Sequence, residues 1–109
     1  MRTLKFIVNN QIITQDPSCD FSGLVPGSEG YLRAQFKFSP EWNDCAKVVS
    51  FWTVMGKECT PQLLDEYSTC VIPADALKRK EFLIKVVGKG PNNLYLQTKK
   101  VAVCQNGGN

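Results

Sequence analysis

Hydrophobic and polar residues alternate along much of the chain. Between positions 32 and 38, Leu32, Ala34, Phe36 and Phe38 occupy every second position, and charged or amide side chains fill the positions between them. Successive side chains of a β-strand point to opposite faces, so this spacing predicts a strand with one buried face. We therefore expect Phe36 and Phe38 to face the core.

A hairpin is predicted before this strand. Lys5–Val8 and Gln11–Thr14 flank Asn9-Asn10, and asparagine tolerates the positive φ that a two-residue turn requires. Residues 17–30 are rich in proline and glycine and predict a loop. We expect this loop to cross between two sheets.

The middle of the chain predicts one helical turn and a central strand. Residues 39–42 fit a single turn, with Ser39 as its cap and Trp42 closing one end of the core. Ala46–Thr53 has apolar residues at both alternating sets of positions. A strand with two apolar faces is expected in the centre of a sheet.

Shorter elements follow. Lys57–Leu64 predicts an edge strand, because Pro61 cannot donate a ladder hydrogen bond. Ser68–Ile72 predicts another strand, and Pro73–Lys78 fits one or two helical turns that plug the sandwich.

The last strands predict a hairpin with a defect. Glu81–Gly88 and Leu94–Val103 are separated by a turn rich in glycine and asparagine. The apolar positions of the second strand change from even to odd numbers along its length. A β-bulge at Lys99-Lys100 would absorb that one-residue slip.

Together these elements predict an all-β fold. Seven or eight short strands with one or two short helical turns are typical of an immunoglobulin-like antiparallel β-sandwich. At 109 residues the chain fits one hydrophobic core. We predict a single domain over residues 1–104 and a flexible C-terminal tail over residues 105–109, which has no apolar anchor.

The composition narrows the cellular setting. No apolar run approaches the length of a membrane-spanning helix, and the N-terminal apolar run is too short for a signal peptide. The five cysteines are an odd number without a CxxC spacing, which favours reduced thiols in a reducing compartment. They are Cys19, Cys45, Cys59, Cys70 and Cys104.

The chain offers little catalytic chemistry. Histidine is absent, which removes the commonest general base, the histidine-activated nucleophiles and the usual zinc ligand. The segment Gly88-Lys89-Gly90 lacks the P-loop pattern and leads into a strand, and Cys45 is a weak nucleophile candidate that core packing explains better. The carboxylates fall in predicted turns and caps. We expect no enzyme, no cofactor and no metal site.

Charge is divided unevenly along the chain. Residues 78–100 contain seven cationic side chains against Glu81 alone, whereas the rest of the chain is net acidic. One interpretation is a basic face for an acidic protein, and the other is a solvated face that keeps sheet edges from aggregating. The candidate partner-binding residues are Lys78, Arg79, Lys80, Lys85, Lys99 and Lys100.

Aromatic side chains do not predict a nucleic-acid platform. Phe36 and Phe38 are expected inside, as is either Phe51 or Trp52. Tyr31 and Tyr95 remain as exposed candidates, and two rings do not make a stacking surface for bases. We expect a protein partner, and neither nucleic acid nor membrane.

Several segments of the sequence, taken together, resemble a known group of proteins. They are the N-terminal hairpin, the strand from Tyr31 to Phe38 followed by Ser39-Pro40-Glu41-Trp42, the Lys47–Phe51 strand, and the segment from Cys70 to Lys78 that leads into the final hairpin. The set resembles small phage and prophage proteins of Gram-positive bacteria. It is similar in outline to the immunoglobulin-like N-terminal domain of phage baseplate upper proteins, over about residues 1–104.

The resemblance implies a non-catalytic protein-binding module of phage origin, a virion tail or baseplate accessory protein. The alternative is a phage-encoded inhibitor that binds a host defence protein. The first would be assembled into the virion, and the second would act free in the host cytoplasm. The resemblance brings no functional residues with it.

Overall fold

The computed structural model describes residues 1–106, which form nine strands and two short 3-10 turns. None of the helical segments in this range is long and apolar enough to cross a membrane. The 3-10 turns are Pro40–Trp42 and Ala74–Lys78. The strands are β1 (Arg2–Asn9), β2 (Ile12–Gln15), β3 (Leu32–Phe38), β4 (Ala46–Thr53), β5 (Gln62–Leu63), β6 (Thr69–Val71), β7 (Glu81–Lys89), β8 (Tyr95–Gln97) and β9 (Val101–Cys104).

The strands form two sheets that pack as a sandwich. The four-stranded sheet has the order β2-β1-β3-β6, and the five-stranded sheet has the order β5-β4-β7-β8, with β9 also pairing with β7. The predicted all-β sandwich is confirmed, and so is the central position of β4 between β5 and β7. Within residues 1–106 the strand number is nine, rather than seven or eight.

The expectation of a wholly antiparallel sandwich is wrong at one seam. β1 and β3 pair in parallel, from Arg2 beside Leu32 to Val8 beside Phe38. The loop after β2 therefore returns to the same sheet instead of crossing to the other.

Packing at one end of the sandwich explains the course of this loop. Leu24 is buried, and the Phe21 ring meets the edge of Phe6 at a centroid distance of 5.4 Å. The backbone N–H of Gly27 donates to the carbonyl of Leu77, in the second 3-10 turn. The loop thus covers core residues of its own sheet and closes against that turn.

An aromatic row runs through the core. Phe6 stacks on Phe36 at 5.3 Å, Phe36 lies 6.0 Å from Phe38, and Phe38 lies 5.3 Å from Trp42 between ring centroids. Phe36 is buried as predicted, whereas Phe38 is only partly buried. Burial of rings of this size is a main source of stability in a domain this small.

The first 3-10 turn closes the core as predicted, but its cap differs. Trp42 is fully buried, and its indole N–H donates to the carbonyl of Asn10 at 2.8 Å. The Ser39 side chain does not cap the turn; its hydroxyl binds the Glu41 carboxylate and accepts the backbone N–H of Asn10. Asn10 has φ 56° in the β1–β2 turn, so the hairpin turn lies one residue later than predicted.

The predicted bulge in the last hairpin is confirmed. β8 pairs Gln97 with Val87, and β9 resumes with Val101 beside Ile84, so β7 has one residue fewer between these two pairs. In the gap, the backbone N–H of Val86 donates to the hydroxyl of buried Thr98 at 3.0 Å instead of to a carbonyl. The bulge is therefore held by a side chain.

The predicted C-terminal tail, residues 105–109, is anchored at its first residue, Gln105. Gln105 is fully buried, and its backbone N–H donates to the carbonyl of Lys80. Its side-chain amide donates to the carbonyls of Leu77 and Arg79 at 3.2 and 2.9 Å. Gln105 is anchored by polar contacts of its side chain, and the absence of apolar residues from this segment does not reveal them. Residues 107–109 of the predicted tail lie outside the described residues.

Candidate functional site

The two sheets differ in what they show to solvent. The solvent-facing side of the four-stranded sheet is mostly polar, with Thr3, Lys5, Arg33, Gln35 and Lys37 on its two central strands. The five-stranded sheet instead has apolar residues on its solvent-facing side. We call that side the outer face and define it by Val48, Trp52, Leu83, Lys85 and Val87.

Strand register brings the apolar residues of the outer face together. Trp52 of β4 is the cross-strand neighbour of Leu83 of β7, and Val48 is the neighbour of Val87. All four are only partly buried. At the sheet edge, Leu63 pairs with Val48 and is 70% exposed. Two apolar pairs thus lie on this face on either side of the Ser50–Lys85 pair, and no second layer of residues 1–106 covers them.

Two lysines lie within this apolar surface. Lys85 pairs with Ser50, between the Trp52–Leu83 pair and the Val48–Val87 pair. The ammonium nitrogen of Lys100 lies 3.6 Å from the centroid of the Trp52 ring. This is cation–π geometry, in which the ring face attracts the charge. The two lysines place positive charge beside the apolar side chains, and the carboxylates of Glu58, bridged to Trp52, and of Glu81 lie toward one end of the same face.

The indole N–H of Trp52 is shielded from solvent and has no hydrogen-bond acceptor among residues 1–106. An unpaired shielded donor costs about 1–3 kcal/mol relative to a paired one. Because the atom is shielded, an acceptor on another molecule does not reach it in this arrangement of side chains.

The structure divides the predicted basic cluster. Lys85 and Lys100 lie at the outer face, whereas Lys78 and Arg79 line a cleft at the end of the sandwich. Lys80 is exposed, and its carbonyl accepts the N–H of Gln105.

Lys99 belongs to neither group. Its backbone N–H donates to the carbonyl of Gln11 in the β1–β2 turn at 3.0 Å. The Gln11 side chain in turn donates to the carbonyl of Gln97 at 3.0 Å. Lys99 thus helps to tie the two sheets together at one side of the sandwich.

We call the cleft at the end of the sandwich the end cleft. It has a volume of about 320 Å³. It lies between the segment after β4 and the second 3-10 turn, and Thr53, Met55, Lys57, Cys59, Asp75, Lys78 and Arg79 line it.

The carboxylates serve local structure. Asp16, Asp20 and Asp65 each accept a hydrogen bond from the backbone N–H two residues further on, which is the geometry of an Asx turn. Hydrogen bonds from the backbone and hydroxyl of Ser18 hold the pKa of Asp16 below its usual value, and Ser22 does the same for Asp20. These groups are stabilised as solvated anions in turns.

The five cysteines are free thiols, and three of them are buried. Burial raises the pKa of Cys59, and it raises the pKa of Cys70 to about 12. Both thiols are therefore held in the neutral form, which is neither the nucleophile nor the metal ligand. Cys45, the weak nucleophile candidate, is also buried, and residues 1–106 contain no cluster of three or more potential metal ligands.

The sequence carried a signal for the outer face. β4 and β7 both have apolar residues on two faces, and for β4 this predicted a central position in a sheet. The second apolar face is the outer face, where Trp52 lies half-buried and Phe51 is the ring that points inward. Tyr31 and Tyr95 are exposed as predicted.

Comparison of this chain with protein-family models, with curated proteins and with solved structures finds no match.

Proposed function

We propose that this chain is a non-catalytic protein-binding module that docks an acidic protein surface on its outer face. The observation that carries the proposal is the two partly exposed apolar pairs, Trp52–Leu83 and Val48–Val87, on the central strands of the five-stranded sheet. Contiguous apolar surface on a folded domain marks an interaction site, and tryptophan is enriched among residues that dominate binding energy.

Charge selects the class of partner. Lys85 and Lys100 place positive charge beside the apolar pairs, so an acidic side chain on a partner is attracted to this part of the face.

The sequence resemblance suggests where such a partner would be found. A virion tail or baseplate protein is the first candidate, with the chain assembled into the virion as an accessory protein. A host defence protein in the host cytoplasm is the alternative, with the chain acting as an inhibitor. Binding through a rigid sheet face requires no cofactor and no catalytic group in either case.

The test maps the contact and identifies the partner in one experiment. A photoreactive amino acid is placed at position 83 on the outer face or at position 35 on the opposite sheet, and each protein is incubated with infected-host lysate. We expect cross-links from position 83 and none from position 35. Cross-links from position 35 alone would overturn the assignment of the face.

A charge-matched pair of variants tests the same face. Leu83→Glu should weaken capture of the cross-linked protein at least about tenfold, because it places an unpaired charge in the apolar centre. Gln35→Glu adds the same charge to the four-stranded sheet and should leave capture unchanged. Equal capture by both variants would refute the proposal.

The identity of the cross-linked protein separates the two biological roles. A tail or baseplate protein supports the virion role, and a defence protein supports inhibition. Any other protein would overturn both phage assignments. Cross-links that nuclease treatment abolishes would show a nucleic-acid ligand instead and refute a protein-binding role.

A further inference from the structure

We propose that the end cleft is a second binding site, specific for an aliphatic carboxylate such as a glutamate side chain. It is separate from the outer face, because Thr53, which lines it, projects from β4 on the side opposite to Trp52. Its volume of about 320 Å³ is at the small end of ligand pockets and suits one small group.

The charges of the end cleft select an anion. Lys57, Lys78 and Arg79 line it, against the single carboxylate of Asp75. Asp75 lies 3.8 Å from Lys78, and both side chains are mostly exposed. Within residues 1–106, Lys57 and Arg79 have no ion-pair partner, so two cations remain to meet a ligand. A guanidinium binds a carboxylate with paired N–H donors, which makes Arg79 the main contact.

The remaining lining favours a carboxylate on a hydrocarbon stem over inorganic phosphate. Met55 and the neutral thiol of Cys59 offer apolar contact to such a stem. The net positive charge of the cleft attracts phosphate as well, so the preference for a carboxylate rests on this contact with its hydrocarbon stem. The site therefore combines a cationic rim with an apolar wall.

The test follows backbone amide shifts of the ¹⁵N-labelled chain during titration with N-acetyl-glutamate amide, N-acetyl-glutamine amide and inorganic phosphate. We expect the glutamate compound to shift the amides of Lys57, Cys59 and Arg79. The glutamine compound should shift none of them, and phosphate should bind more weakly than glutamate. Equal shifts with the glutamine compound, or glutamate shifts spread over all surface lysines, would overturn the proposal. Tighter binding of phosphate would overturn the carboxylate preference.

Two substitutions with opposite expected effects sharpen this test. Arg79→Gln should weaken glutamate binding about tenfold through loss of a charged hydrogen bond, whereas Asp75→Asn should tighten it. Lys5→Gln removes one positive charge from the four-stranded sheet and should change nothing. If Arg79→Gln and Lys5→Gln behave alike, the cleft is not the site. Loss of capture by Leu83→Glu is measured separately, so either proposal can fail alone.

Discussion

Gly88 is the position where one added methyl group should cost most. It lies on β7 with its open side toward the core, and a Cβ there would lie 2.8 and 2.9 Å from the Cζ3 and Cε3 atoms of Trp42. Real Cβ atoms do not approach other atoms so closely, and the contact is with the body of a ring. Either the indole or strand β7 must move.

Trp42 has little freedom to move. It is fully buried, its N–H is bonded to Asn10, and the Phe38 ring lies against it. Overpacking a core costs about 1–3 kcal/mol, and a glycine-to-alanine change recovers about 0.4–1 kcal/mol from the unfolded chain. We expect Gly88→Ala to lower the free energy of unfolding by about 2 kcal/mol. A domain of this size should then melt about 8 °C lower.

Gly90 supplies a matched control on the same side of the chain. A Cβ there would meet the sulfur of Cys45 at 3.0 Å and a methyl of Leu94 at 3.1 Å. These are ends of side chains, and Leu94 is 41% exposed and can turn away. Gly90→Ala should therefore cost less than about 1 kcal/mol.

Urea denaturation of both variants measures these costs, and a double-mutant cycle identifies the cause. In Trp42→Phe the ring atoms that block the new methyl are gone, so adding Gly88→Ala should cost less than it does in the wild type. The steric explanation is refuted if Gly88→Ala is as stable as Gly90→Ala, or if its cost is unchanged beside phenylalanine.

Three further predictions concern buried polar groups. Thr98→Val removes the acceptor of the Val86 N–H in the bulge and should lower the free energy of unfolding by about 1–3 kcal/mol. Thr98→Ser keeps the hydroxyl and should lose much less stability, and thermal melts of both variants measure the difference. The pKa of Cys70 is about 12 in the folded chain and 9.0 for an ordinary cysteine, so the unfolded chain loses this proton first. The free energy of unfolding should fall as pH rises from 9 toward 12, and it should fall less in Cys70→Ala. Gln105→Ala removes the side-chain hydrogen bonds to the carbonyls of Leu77 and Arg79. Backbone amides near the second 3-10 turn should therefore exchange their hydrogens faster in this variant than in the wild type.

The elements that sequence predicted best are those set by local rules. The alternation in β3 and the change of apolar phase before β9 each act within a few residues. The predicted edge strand Lys57–Leu64 is shorter in the structure, where only Gln62–Leu63 forms a strand, after Pro61. The bulge was predictable because a one-residue slip reverses which side chains face the core. Strand existence and defects of register are thus readable from a single chain.

Strand partners were not readable in the same way. Alternation of apolar and polar residues shows that one face of a strand is buried. It does not show which strand pairs with it or in which direction that strand runs. The parallel pairing of β1 with β3 is therefore absent from the pattern of either strand. The anchor at Gln105 was missed because its stabilising contacts are hydrogen bonds to distant carbonyls.

The candidate site was only partly predictable for a related reason. Apolar residues on both faces of β4 are expected if both faces are covered by other elements, or if one apolar face is exposed to solvent. The sequence does not show how many faces of the sheet are covered. Basic residues that are close in the sequence also lie at different places in the structure. Arg79 ends at the end cleft, whereas Lys85, six positions later, lies among apolar side chains on the outer face.

The parallel seam between β1 and β3 has a consequence for the order of folding. The β1–β2 hairpin closes within a few residues and can form in microseconds, whereas the seam requires residues 10–31 to be closed as a loop first. Contacts distant in sequence slow the folding of small β proteins. If the seam forms after the rate-limiting step, truncating Phe6 or Phe36 would speed unfolding and leave the refolding rate nearly unchanged.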